Sequence, residues 1–461
     1  MVDEGVQDRP IHVLPIETPG LGDRSYVIHD GEIGAVIDPQ RDIDRVLDIA
    51  SAANVRITHV AETHLHNDYV TGGLELARKV GAVYLVAGDD EVDYERHSVA
   101  DGDLVEVGRF SLRVLATPGH TTHHLSYAAI AHGTPVAVFT GGSLLYGTVG
   151  RTDLVSEALT DELTHAQYRS AQRLVAELPA EVPVWPTHGF GSFCSSAKSS
   201  GASTSTVGDE ARTNLALTVE DEDTFVARLL GGLTAYPRYY AQMAPINRAG
   251  PAPVDLSPAA PVDPTELRRR IHAGEWVIDL RRRRAFARSH LPGTVSVELG
   301  DPFATYLGWV LPWGSPITLI ADSAGQVAEA QRALVRIGID RPSGAASGPL
   351  ETLAHGDAIA SYPVADFADL AAALAQRRPL TVLDVRRPDE RAAGGICDSI
   401  HIPLHELAER IESLPEGPLW LHCASGFRAS IGASILDRAE RDVVLIDDDW
   451  EHAADNELPI I

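Results

Sequence analysis

The chain has 461 residues, 44% of them apolar, and a formal net charge of −27, a length that holds several domains at roughly 100–200 residues each. The negative charge argues against a nucleic-acid partner, which requires a basic face. No apolar run approaches the ~20 residues that span a bilayer, the opening Met-Val-Asp-Glu-Gly lacks the pattern of a secretory leader, and Cys194, Cys397 and Cys423 are too few for a disulfide framework; a cytoplasmic protein without membrane partners is expected.

Residues 10–240 alternate short β-branched strands with helices. Strands are predicted at Tyr26–Ile28, Ala35–Ile37, Ile57–Ala61, Val83–Val86, Leu112–Ala116 and Val136–Thr140, and helices at Ile43–Ala53, Gly73–Val80 and Asp161–Leu178. Three apolar strands run into histidine-bearing loops. The first reads Thr63-His64-Leu65-His66-Asn67-Asp68-Tyr69, the second Thr117-Pro118-Gly119-His120-Thr121, the third Trp185-Pro186-Thr187-His188-Gly189. Imidazoles and a carboxylate at alternating positions after a strand can converge on one metal, and this donor set suits Zn, Fe or Mn. The candidate ligands are His64, His66, Asp68, His120 and His188. Tyr69 reads as an aromatic wall. Cys194 precedes a Ser/Gly/Thr-rich stretch, 195–206, expected to be a mobile loop; its thiol either packs there or holds a persulfide near the metal.

Residues 244–264, rich in Pro and Ala, read as a linker. An internal repeat follows. Val277-Ile278-Asp279-Leu280-Arg281 matches Val382-Leu383-Asp384-Val385-Arg386, and a second stretch begins at His290 in one copy and Gly395 in the other. Ile317–Ala321 pairs with Leu419–His422. Residues 342–362 read as a second linker. The domains expected are therefore 1–245, 263–345 and 363–461.

The second copy ends its strand at His422 and continues Cys423-Ala424-Ser425-Gly426-Phe427-Arg428 before a helix. A thiol in a loop that opens a helix meets backbone N–H groups and the positive end of the helix dipole, which favour thiolate. Arg428 adds a formal charge, so Cys423 is the candidate nucleophile. The first copy has Asp322-Ser323-Ala324-Gly325-Gln326-Val327 at this place, without cysteine or closing arginine.

The Asp384-Val385-Arg386 stretch, Ile400-His401-Ile402-Pro403-Leu404 and the Cys-x-x-Gly-x-Arg loop resemble the rhodanese family. That resemblance implies that Cys423 carries a sulfane sulfur as a persulfide, with Arg428 and the loop of Ala424, Ser425, Gly426 and Phe427 cradling an anionic substrate. It makes Asp384 and Arg386 a structural pair, and the first copy an inactive rhodanese.

The His-x-His-x-Asp run, the Thr-Pro-Gly-His-Thr loop and His188-Gly189 resemble the metallo-β-lactamase superfamily. The implied fold class is α/β, an αββα sandwich followed by two rhodanese-like domains. This order, with Gly147–Asp153 and His188–Cys194, looks like a persulfide dioxygenase–sulfurtransferase fusion. The resemblance implies one Fe(II) per chain, with Zn as the alternative. The substrates would be a low-molecular-weight thiol persulfide such as that of glutathione, and O2; sulfite or thiosulfate would be product or partner, and a homodimer is suggested. His64 and His120 match the family's imidazoles. The family's carboxylate follows a strand in a Thr-Gly-Asp step, whereas this chain reads Thr140-Gly141-Gly142. Three repairs are open: His66 completes a three-imidazole site with His64 and His120, Asp68 and His188 supply ligands, or the domain is a scaffold without metal. A zinc thiolester hydrolase of glyoxalase II type is the rival activity, and a sulfurtransferase with a non-oxidative front domain the third reading.

Overall fold

The computed structural model describes residues 10–196 and 201–461. Residues 1–9, on which the expectation about a leader falls, and 197–200, inside the expected mobile loop, lie outside the described residues. The chain forms two units: Met1–Val254 with Val335–Gly338, and Asp255–Leu334 with Ile339–Ile461. No helix among the described residues is long and apolar enough to cross a membrane.

In the first unit two sheets face each other. Six strands, His12–Thr18, Asp23–His29, Ile33–Ile37, Arg56–Ala61, Val83–Ala87 and His97–Val99, lie side by side in chain order. The other sheet runs Val184–Pro186, Thr134–Gly141, Leu125–Ala131, Phe110–Ala116, Leu104–Val107. Because side chains alternate across a strand, Tyr26, Ile28, Ile37, Phe110, Leu112, Tyr127 and Phe139 meet in one core. Each such side chain contributes about 1.5–3 kcal/mol by leaving water. The opposite faces bury Val27, Val36 and Val60 against the helices Asp44–Ala52 and Gly73–Val80, and Val138 and Val184 against Thr160–Glu177. The result is an αββα sandwich. The strands read from the sequence fall inside the observed ones, because their apolar stretches are long enough to show.

The second unit holds two parallel sheets of one plan. Trp276–Asp279 lies between Val295–Ser296 and Ile317–Ala321, with Gly344–Ser347 beyond. Thr381–Asp384 lies between Ile400–His401 and Leu419–His422, followed by Val443–Ile446 and Val364–Ala365. The registers agree: Trp276 faces Ile317 as Thr381 faces Leu419. In each copy a buried aspartate, Asp279 or Asp384, ends the strand flanked by two neighbours and accepts from the arginine two residues on. The Nη2···Oδ2 distance is 2.6 Å in both Arg281–Asp279 and Arg386–Asp384, and each arginine amide donates to the same carboxylate at 3.0 Å.

Both expected linkers are shorter than the sequence suggests. Residues 342–362 contribute the strand Gly344–Ser347 and the helix Leu350–Ala354, so the first copy extends past residue 345. That strand is Gly-Ala-Ala-Ser, with no alternation to read. Residue 244 lies inside the helix Tyr240–Ala249, whose internal Pro245 obscures the helical pattern.

Candidate active sites

In the first unit, His64 and His66 follow Arg56–Ala61, His120 follows Phe110–Ala116 and His188 follows Val184–Pro186. The fold brings ligand atoms of His64, His120 and His188 within 4.8 Å of one another, all three residues buried. Each ring is held from behind. His120 Nδ1 donates to the Arg151 carbonyl at 2.7 Å, which leaves Nε2 as a lone pair, buried and without a hydrogen-bond partner. His64 Nδ1 lies 2.9 Å from the Thr63 hydroxyl, which donates to Asp38 Oδ2 at 2.7 Å. His188 Nδ1 lies 2.9 Å from Asp23 and 3.1 Å from Asp68, and its Nε2 stands 3.3 Å from His64 Nε2. Backing of this kind fixes the tautomer and aim of a metal-binding imidazole.

Burial lowers His64 well below the ordinary imidazole value and takes His120 down to about 3, so both are neutral donors. Burial would lower His188 too, but Asp68 and Asp23 hold it well above 6.5. Carboxylates that favour a proton there favour any cation. Asp23 Oδ2, Asp68 Oδ1, His66 Nδ1 and His120 Nε2 are all buried with no hydrogen-bond partner. Clustered orphans call for a missing partner, and a divalent cation satisfies imidazole and carboxylate lone pairs together. These residues therefore fit a metal.

His66 joins different groups, one with Asp68 and His188, another with Asp38 and Glu62. Its Nε2 lies 3.0 Å from the Tyr69 hydroxyl and 3.3 Å from both Asp38 and Glu62. Against the effect of burial, these carboxylates push it up to about 9. Gly142 and Gly150 flank His120: a Cβ on Gly142 would stand 2.2 Å from the ring's Cδ2, and one on Gly150 2.7 Å from Nδ1. The imidazole thus fills the space a side chain at residue 142 would need. The Gly142 amide donates to His124 Nε2 at 3.0 Å. A cavity of about 890 Å³, lined in part by Leu65, Asn67, Thr121, Asp153, Tyr236 and Arg248, opens beside the cluster.

In the second unit, Cys423 is buried and directly follows the strand Leu419–His422. Gly426, at φ 83°, turns the chain into the helix Phe427–Arg438. No side chain fits at residue 426, since a Cβ would stand 2.1 Å from Asp447 Oδ1. The Ala424 carbonyl accepts from the Trp450 amide at 2.8 Å. Arg428 places Nη1 and Nη2 at 2.5 and 2.7 Å from the two oxygens of Glu390. Its charge is thus already paired, which weakens the role expected for it in stabilising a thiolate.

A rhodanese-like domain model matches residues 366–455. A solved structure described as a metallo-β-lactamase from Staphylococcus aureus is 29% identical, with a TM-score of 0.66, and covers 74% of this chain and 100% of that one. The chain is a metallo-β-lactamase-fold domain fused to a rhodanese domain. The front domain of the fusion is also similar to human mitochondrial persulfide dioxygenase ETHE1, 28% identical over 213 residues, 45% of this chain and 76% of that protein. It is 32% identical over 180 residues to a hydroxyacylglutathione hydrolase of Methylococcus capsulatus, 38% of this chain and 66% of that protein.

In the fusion's front domain, His64, His120 and His188 come together, with Asp68 behind His188. The grouping of His66 with His64 and His120 does not form among the described residues; His188 stands in that place, because His66 is drawn onto Asp38 and Glu62. Asp23, Asp38 and Glu62 escaped sequence reasoning. They are isolated carboxylates whose only signal is a position at a strand end. Asp153 forms a two-pronged pair with Arg151, at 2.7 and 2.8 Å. Cys194 is fully buried, and burial, with Asp68 and Asp23, pushes its thiol well up; this disfavours thiolate. In the rhodanese domain, strand register sets Ile320 opposite Asp279 as His422 is opposite Asp384. Ala321, rather than Asp322, therefore occupies the station of Cys423.

Proposed function

We propose that the fusion works in sulfur metabolism, oxidising a low-molecular-weight thiol persulfide with O2 and water to sulfite and free thiol, and moving sulfane sulfur through Cys423. The carrying observation is the buried cluster of His64, His120 and His188 beside a large cavity, with the His120 Nε2 lone pair unpartnered. The likeness to a persulfide dioxygenase supports the chemistry. These three imidazoles would hold one iron(II), which supplies the one-electron chemistry that O2 requires. Asp23 and Asp68 offset the positive charge through His188. Burial of the ligands keeps bulk water from the reacting sulfur, and the cavity accommodates the thiol carrier. In the rhodanese domain, Cys423 takes sulfane sulfur and passes it to an acceptor; sulfite as acceptor gives thiosulfate.

A second reading follows from the donor set. Three imidazoles suit zinc as well, and the likeness to a hydroxyacylglutathione hydrolase favours a thiolester substrate. Metal analysis with O2 uptake on glutathione persulfide separates the two. Stoichiometric iron and persulfide-dependent uptake support the dioxygenase; zinc with thiolester hydrolysis and no uptake overturns it. Gly142→Asp, which restores a carboxylate but collides with the His120 ring, is expected to lower metal content. A rise in both iron and turnover would show that His120 makes way and that the carboxylate was a genuine deficit.

A further inference from the structure

The front-domain cavity of about 890 Å³ has charged walls that the oxidation itself leaves unused. Its inner end is made by the histidine loops: Leu65 stands between His64 and His66, Asn67 precedes Asp68, and Thr121 follows His120. His120 Nε2, buried without a partner, marks that end as the place where a ligand is missing. Tyr236 and Tyr240, stacked with ring centroids 5.7 Å apart, form part of the wall. Five carboxylates line the cavity against a single arginine, Arg248, which is exposed on the helix Tyr240–Ala249. Two of the five are already engaged, Asp153 by Arg151 and Asp90 by His123 Nδ1 at 2.9 Å. The other three are Asp89 and Glu91, just after the strand Val83–Ala87, and Glu157. These three are exposed and form no ion pair among the described residues.

We propose that this cavity selects the carrier of the persulfide by charge, taking a small thiol that bears an ammonium group in preference to one that bears a carboxylate. This rests on the reading of the front domain as a persulfide-oxidising site. The sulfur end belongs beside the imidazoles, so the body of the carrier extends along the cavity toward the acidic wall. There an ammonium group is attracted by Asp89, Glu91 and Glu157 together and opposed only by Arg248. A carboxylate meets the opposite balance. Charges this close to open water interact weakly one by one. Several of one sign around a cleft nevertheless act in the same direction on whatever enters, within a screening length of about 8 Å at physiological salt. Selection of this kind acts on the carrier's body, away from the reacting sulfur, so it is read in KM rather than kcat. Glutathione, with two carboxylates to one ammonium group, falls below a carrier of net positive charge.

The test compares cysteamine persulfide with 3-mercaptopropionate persulfide, carriers of similar size and opposite charge, by O2 uptake on the full chain. Calorimetric binding of the two free thiols to the same protein gives a readout independent of turnover. KM is expected to be about tenfold lower for the cysteamine compound, with the two dissociation constants in the same order. Glu91→Gln and Glu157→Gln should each shrink that ratio about threefold, and Arg248→Gln should widen it about threefold. A merely structural role for these side chains would move both carriers together. Raising NaCl from about 0.05 M to about 0.5 M should bring the ratio toward one. Glu181→Gln, exposed and outside the cavity lining, is the control and should leave the ratio unchanged. A ratio near one, the reverse order, or uptake with glutathione persulfide alone overturns this inference and leaves the persulfide reading standing. No uptake with any of the three persulfides overturns that reading and the inference with it.

Discussion

The two copies in the second unit share a framework and part company at one loop. Both seat an arginine on a buried aspartate with the same 2.6 Å bond, and both pair their strands in the same register. In one copy the strand runs into Cys423 and a left-handed glycine that opens a helix. In the other, Ala321 holds the cysteine's station, and Gln326 Oε1 accepts from the amides of Asp322 and Ser323 at 3.0 and 3.2 Å. Donors available to an anion are there engaged by the chain's own side chain. Sheet register and a buried ion pair maintain the fold, while the chemistry rests on a loop that can change without disturbing either.

The comparison breaks most sharply at the cysteine. Cys423→Ser should abolish thiosulfate:cyanide transfer altogether, since no thiol stands at Ala321 to take over; residual transfer above background would show a second carrier. The shared framework is tested next. Asp384→Asn leaves the Arg386 guanidinium buried without its counter-charge, a loss of about 3–5 kcal/mol, and Asp279→Asn should cost the same around Arg281. Unequal shifts in urea unfolding would mean that the two pairs are not equivalent.

A smaller difference lies in pH response. Burial takes His422 down to about 4 from its ordinary 6.5, whereas Ile320 at the matching position cannot titrate. Between these values the unfolded chain binds the proton and the folded one does not, so stability falls as pH drops from about 6.5 to 4, by about 3 kcal/mol in all. His422→Leu should flatten that part of the profile in chemical unfolding followed across pH. Smallest is Gln326→Ala, which removes hydrogen bonds worth about 1 kcal/mol in an exposed loop and should confer no sulfur transfer. Transfer gained by that variant would mean the first copy lacks only access.

The strands ahead of each histidine loop were legible because their apolar runs are long and β-branched. The strand Gly344–Ser347 was not, because four small residues carry no period. Among ligands, the motif His64-x-His66 marked the region but not the donors. His66 is claimed by Asp38 and Glu62, which lie far from it or unmarked in the chain, and His188 arrives from a distant strand. Likewise, the sequence shows Arg428 only as a formal charge beside the cysteine, whereas Glu390, 38 residues away, occupies both its arms.

The sequence by itself determined the order of parts, the repeat, the thiol at Cys423 and the family of imidazoles from which a metal site is drawn, because these are local patterns of residue type and spacing. Only the tertiary structure decided which imidazoles converge and why the His120 ring leaves no room for a side chain at Gly142. Each is a short distance between residues remote in the chain, set by sheet register and core packing, and no local pattern encodes it.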